Sequence, residues 1–100
     1  MIIEYRRKRG LHLHDPFDFR KLKLVFKTEA PVGSPALRGI VIADRDNALV
    51  PVDLIPVLPG TPHDDNSWAT AYRKMVELAR ELNWIDVDAN AIRVHIEKHF

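Results

Sequence analysis

Cysteine is absent from this 100-residue chain, which excludes a disulfide framework, a thiolate metal site and cysteine catalysis together. Glycine is scarce. The four that occur are scattered, forming neither a G-x-G-x-x-G turn nor a Walker loop for phosphate. Only two serines are present, Ser34 in a proline-bounded loop and Ser67 at an expected helix start, and neither stands in a nucleophile elbow. No apolar run approaches the ~20 residues of a membrane span. Glu4 and Arg6 follow Met1-Ile2-Ile3 too soon for the apolar core of a signal peptide. The expectation is a cytosolic protein with no membrane contact, no cofactor and no catalytic residue, although a chain without cysteine would also survive in a periplasm.

What is present is enough for one core. With 46% apolar residues the chain is too hydrophobic for general disorder, and its length suits one domain. The net charge of +1 conceals an asymmetry. Residues 1–27 hold eight Lys/Arg against three carboxylates, a net +5, and the remaining residues hold seven against eleven, a net −4. A basic end can meet nucleic acid or an acidic partner, or it can be a solvated strand face whose charges discourage edge pairing.

The first half alternates. Ile3 and Tyr5 oppose Glu4 and Arg6, Lys8-Arg9-Gly10 reads as a turn, and Leu11 and Leu13 oppose His12 and His14. The pattern predicts a hairpin over 2–14. Over 20–27, Leu22, Leu24 and Phe26 share a face while Lys21, Lys23 and Lys27 share the other, as in an antiparallel sheet with one wet side. Residues 28–36, broken by Pro31, Gly33 and Pro35, read as a loop. Residues 38–44 then read as a central strand and 48–58 as its hairpin partner, placed at an edge or bulge by Pro51 and Pro56.

The second half is helical in expectation. Trp68, Ala71, Tyr72, Met75, Val76, Ala79 and Leu82 fall on one side of a helix over 67–83, with Asp65, Asn66 or Ser67 as its cap. In the tail, Ala89, Ile92, Ile96 and Phe100 follow a helical rhythm and Asp88 can cap it, whereas 92–97 also alternate like a strand. Helix over 89–99 is the reading adopted. The whole predicts an α+β domain over 1–100: an antiparallel sheet of four or five strands in 2–58, packed by the 67–83 helix and a short C-terminal helix.

Three binding chemistries fit the residues. Arg6, Arg7, Lys8, Arg9, His12, His14, Lys21 and Lys23 form the candidate binding surface. Contact with another protein, or with a second copy of the chain, is the leading expectation. Nucleic acid is the alternative, because these cations interleave with Tyr5, Phe17 and Phe19, which could stack on bases. Metal is the third reading. On a strand His12 and His14 share a face about 7 Å apart, with Asp15 adjacent and His63, Asp64 and Asp65 as further donors; a helical tail would pair His95 with His99.

Overall fold

The computed structural model describes residues 1–29 and 35–100. The chain is α+β, as expected. Strands β1 (Ile2–Arg6) and β2 (Gly10–His14) form the anticipated hairpin, paired antiparallel from Ile2↔His14 to Arg6↔Gly10. Strand β3 (Lys23–Phe26) lies on the other side of β1. Residues 30–34 of the expected loop lie outside the described residues. Strands β4 (Val41–Ile42) and β5 (Asn47–Pro51) follow as a hairpin, then helix α1 (Asn66–Glu81), and finally β6 (Ile85–Asp86) and β7 (Ala91–Lys98).

The sheet departs from the expectation in number and direction. Among the described residues seven strands form one mixed sheet in the order β2-β1-β3-β7-β5-β4, with β6 beside β7. β1 and β3 are parallel, as are β3 and β7. The alternation in β3 marks Leu24 and Phe26 as the side chains that join the core, but Val25 on the opposite face is buried as well, and alternation carries no information about the direction of the neighbouring strand. Among the described residues this partly parallel sheet has a helix on one side only, so most of its strands alternate as those of antiparallel sheets do.

The C-terminal helix expected over 89–99 is a strand instead. β7 lies between β3 and β5, with Ile92, Val94 and Ile96 buried and Arg93 and His95 exposed. Asp88 caps nothing helical. Asp86 accepts a hydrogen bond from the Ala89 amide (3.1 Å) and Asn90 takes φ +48°, so the chain turns into β7 rather than winding. The central strand anticipated at 38–44 shrinks to the two residues of β4 at the sheet's edge, where Val41 is exposed, and β5 is the interior member of that hairpin. After Pro51 the chain leaves the sheet and forms a 3₁₀ turn at Ile55–Val57.

Helix α1 forms where its periodicity placed it. The Asp65 side chain accepts from the Trp68 amide (3.0 Å), capping the first turn. Trp68, Tyr72, Val76 and Ala79 are buried in the apolar cluster that also holds Ile3, Leu24, Val50 and Val94. Trp68 and Tyr72 stack with ring centroids 5.1 Å apart, and each also ties the helix to a loop: Trp68 Nε1 donates to Pro16 O and Tyr72 Oη to Val52 O, both at 2.7 Å. Among the described residues the opposite face of the sheet carries no helix. α1 is too short or too polar to cross a membrane, as is every helix among the described residues.

Candidate functional site: a groove beside Trp84

The expected basic surface assembles in part: Arg6, Arg9, His12 and His14 line one concavity of about 260 Å³ together with Glu4 and Gly10, whereas Lys21 and Lys23 lie elsewhere. Arg6, Arg7, Lys8 and Arg9 lie exposed at the β1–β2 tip, and Lys21 and Lys23 lie at the start of β3. Since Ile2 pairs with Lys23, Arg6 is four residues further along β1, about 13 Å away along the strand direction. Residues close in sequence thus sit at opposite ends of the sheet. Phe17 is exposed, but on the segment before β3 rather than beside the hairpin tip, while Phe19 packs on Trp68 at 6.3 Å. Tyr5 is buried against Phe26. The aromatics therefore offer the tip cations no shared stacking platform.

The histidines are distributed as well. His12 and His14 do share the open face of β2, with rings stacked at 5.0 Å. His14 faces Glu4 at 3.4 Å, and Glu4 is also held by Arg6 at 2.6 Å. Among the described residues no three His, Cys, Asp or Glu side chains come together in a way that could hold a metal ion. His63 is exposed in the turn before α1. His95 and His99 are not the one-turn helical pair: His95 lies within β7 and His99 beyond its end.

The open face is knitted by ion pairs between strands. Lys23 on β3 meets Glu97 on β7 at 2.8 Å, Glu97 also bonds His99 at 3.1 Å, and His99 contacts Lys27 at 3.2 Å. The hydrogen bond from Lys23, with that from His99, draws the Glu97 carboxyl down to about 2. For Glu4, desolvation pushes upward, but the hydrogen bond and charge of Arg6, with His14, outweigh it and hold the carboxyl below its usual range.

A folded-state value below the unfolded one means that Glu97 contributes stability above the ordinary glutamate range. That contribution fades as pH falls through about 2. An NMR titration of the Glu97 carboxyl is expected to show a midpoint near 2, moving back toward the ordinary value in Lys23→Met. A wild-type midpoint at the ordinary value would contradict the pairing.

A different concavity combines apolar walls with cationic side chains, and its geometry follows from how β7 is shared. β5 occupies one edge of β7. On the other edge β6 pairs with Ala91 and Ile92, while β3 begins only at His95. A step is left between β6 and β3, and α1 runs beneath it. The chain is delivered there by the end of α1. Asn83 adopts φ +63°, its amide donates to Arg80 O (3.1 Å), and the Trp84 amide reaches back to Ala79 O (2.8 Å). This paired-bond helix stop fixes Trp84 directly over Ala79. Trp84 O then accepts from the Arg93 amide at 2.9 Å, locking the tryptophan to β7.

The result is a groove of about 530 Å³ at this step, lined from α1, the segment before β3, and β7. Phe19, Leu22, Met75, Leu78, Trp84 and Val94 give it an apolar lining, and Arg20, Lys21, Lys23 and Arg93 add cations. No carboxylate lines it among the described residues. Trp84 and Leu78 are each 55% exposed, too much for core residues of their size, and Leu82 one helical turn beyond Leu78 is 47% exposed. Of the expected surface the groove includes only Lys21 and Lys23. Trp84 and Arg93 went unread in the sequence. The available signals were a tryptophan just past a helix end, after an asparagine suited to positive φ, and Leu78 lying off the helix's apolar stripe.

The chain matches no family model, no curated protein and no solved structure.

Proposed function

We propose that this chain is a non-enzymatic accessory protein of the cytosol that works by docking a protein segment in the Trp84 groove. The observation that carries this reading is the composition of the groove: an apolar lining with half-exposed Trp84 and Leu78, and four cations, of which Lys21 forms no ion pair among the described residues while Arg20, Lys23 and Arg93 are paired with Asp18, Glu97 and Asp44. Such a lining suits a segment that combines aliphatic anchors with acidic side chains. Aliphatic walls from Leu22, Met75, Leu78 and Val94 suit aliphatic side chains better than flat bases, which favour aromatic platforms.

The two tryptophans supply the readout. Trp68 is buried and Trp84 half-exposed, so a ligand in the groove changes the emission of Trp84 alone. A short synthetic peptide of alternating glutamate and leucine, added at low ionic strength, is expected to shift that emission to the blue in a saturable way. Added salt weakens the effect, and Leu78→Asp, which alters the groove lining but keeps the Trp84 reporter, abolishes it. No saturable change, or equal binding of a lysine–leucine peptide, would overturn the reading.

One observation favours nucleic acid as a second reading. Arg7 donates its amide to Thr28 Oγ1 (2.8 Å), and Phe26 pairs with Lys98. The exposed tip cations therefore lie at the same sheet end as Lys27 and Lys98. Salt-sensitive binding of single-stranded DNA, lost in Arg7→Glu with Arg9→Glu, would support it; no affinity at low salt would remove it.

A further inference from the structure

The acidic, apolar segment that the groove calls for is present on this chain. Between β6 and β7 runs the turn Asp86-Val87-Asp88. Val87 is 78% exposed, the most exposed of the large apolar side chains among the described residues, and it stands between two carboxylates. The turn is already ordered by the Asp86–Ala89 hydrogen bond and by Asn90 at φ +48°, so little conformational freedom is lost when it docks. It begins two residues after Trp84. One surface therefore displays both a cationic apolar acceptor and an acidic apolar donor, the condition for a self-complementary two-fold contact.

We propose that two copies of the chain pair about a two-fold axis, each seating Val87 in the other's groove and bringing Asp88 to the other's Lys21 and Arg93. This rests on the groove reading above and names its occupant. The groove's cations are accessible for it. Lys21 forms no ion pair among the described residues, and the Arg93–Asp44 (3.7 Å) and Arg20–Asp18 (3.5 Å) pairs are long and exposed, so they yield at little cost. Lys23 stays with Glu97 at 2.8 Å. The contact ends the association at two copies, because both donors and both acceptors are then occupied.

Sedimentation equilibrium of the full chain tests this with two charge reversals at exposed positions. Asp88→Lys places like charges in both contacts of a homodimer, and so does Lys21→Glu. Each is expected to weaken self-association about tenfold or more. An equimolar mixture of the two variants recovers much of the pairing, since both contacts between positions 88 and 21 again join opposite charges. A wild type that stays monomeric at all concentrations, variants that pair as well as wild type, a mixture that fails to recover, or a ladder of larger species would each overturn the proposal. If the wild type is monomeric while the glutamate–leucine peptide still binds at Trp84, only the self-pairing fails; if the peptide also fails, the groove reading falls with it.

Discussion

Replacing Trp68 by alanine is expected to cost about 3–5 kcal/mol of stability, the range for removing a fully buried large aromatic. That is a large fraction of the ~5–15 kcal/mol available to a domain of this size. Trp68 is 2% exposed, stacks on Tyr72 and packs on Phe19, and its Nε1 holds Pro16 O across 52 residues of sequence. The cavity would therefore open where α1 is fastened both to the sheet and to the segment leading into β3. Trp68→Phe separates the contributions: most of the packing remains, but Pro16 O loses its donor, a loss of about 1–3 kcal/mol if water cannot reach it. Urea unfolding measures both. By contrast, Trp84→Ala removes a half-exposed ring and is expected to leave stability nearly unchanged while abolishing peptide binding. A Trp68→Ala loss below about 1 kcal/mol would contradict the placement of α1.

Gly60→Ala is expected to be nearly as damaging, although it adds a single methyl group. Gly60 has φ +94°, and a Cβ there would lie 2.0 Å from the Leu13 carbonyl oxygen and 3.0 Å from the His12 ring. The loop would have to move away, yet Pro59 O accepts the Leu13 amide at 2.7 Å, so movement breaks the contact that covers the free edge of β2. Backbone strain and the lost bond together come to about 2–4 kcal/mol. Gly10→Ala serves as the comparison. Its φ is +71°, but a Cβ there meets nothing within 4 Å, so the left-handed conformation alone is penalised, by about 1 kcal/mol. Equal midpoints for the two variants in thermal unfolding would show that the 59–60 loop does not lie against β2.

The parts legible in the sequence were those encoded by a local period and a local cap. Asp65 with the Trp68–Tyr72–Val76–Ala79 stripe specifies α1 within a few residues, and alternation on either side of a turn specifies the β1–β2 hairpin, although Gly10, expected in the turn, pairs with Arg6 as the first residue of β2. The tail was misread because Ala89, Ile92, Ile96 and Phe100 and the alternating set Ile92, Val94, Ile96 overlap in one segment. Val94, which fits only the second set, is the residue that decides for a strand, and it is buried in β7. Parallel pairing of β1 with β3 left no mark, since alternation reports burial and not direction. The two-residue β6 is shorter than any period. The candidate site was the least legible feature, because the groove arises from where β3 and β6 stop along β7. Lys21 and Lys23, in turn, are separated from the Arg6–Arg9 cluster by the length of a strand.

The central claim is that the working surface of this protein is the Trp84 groove and not the basic hairpin tip. Backbone amide NMR during titration with the glutamate–leucine peptide tests it most directly. The expected result is shifts confined to residues 19–23, 75–84 and 92–95, with the amides of residues 6–14 unmoved. Shifts centred on residues 6–14, with Trp84 and its neighbours unchanged, would contradict it.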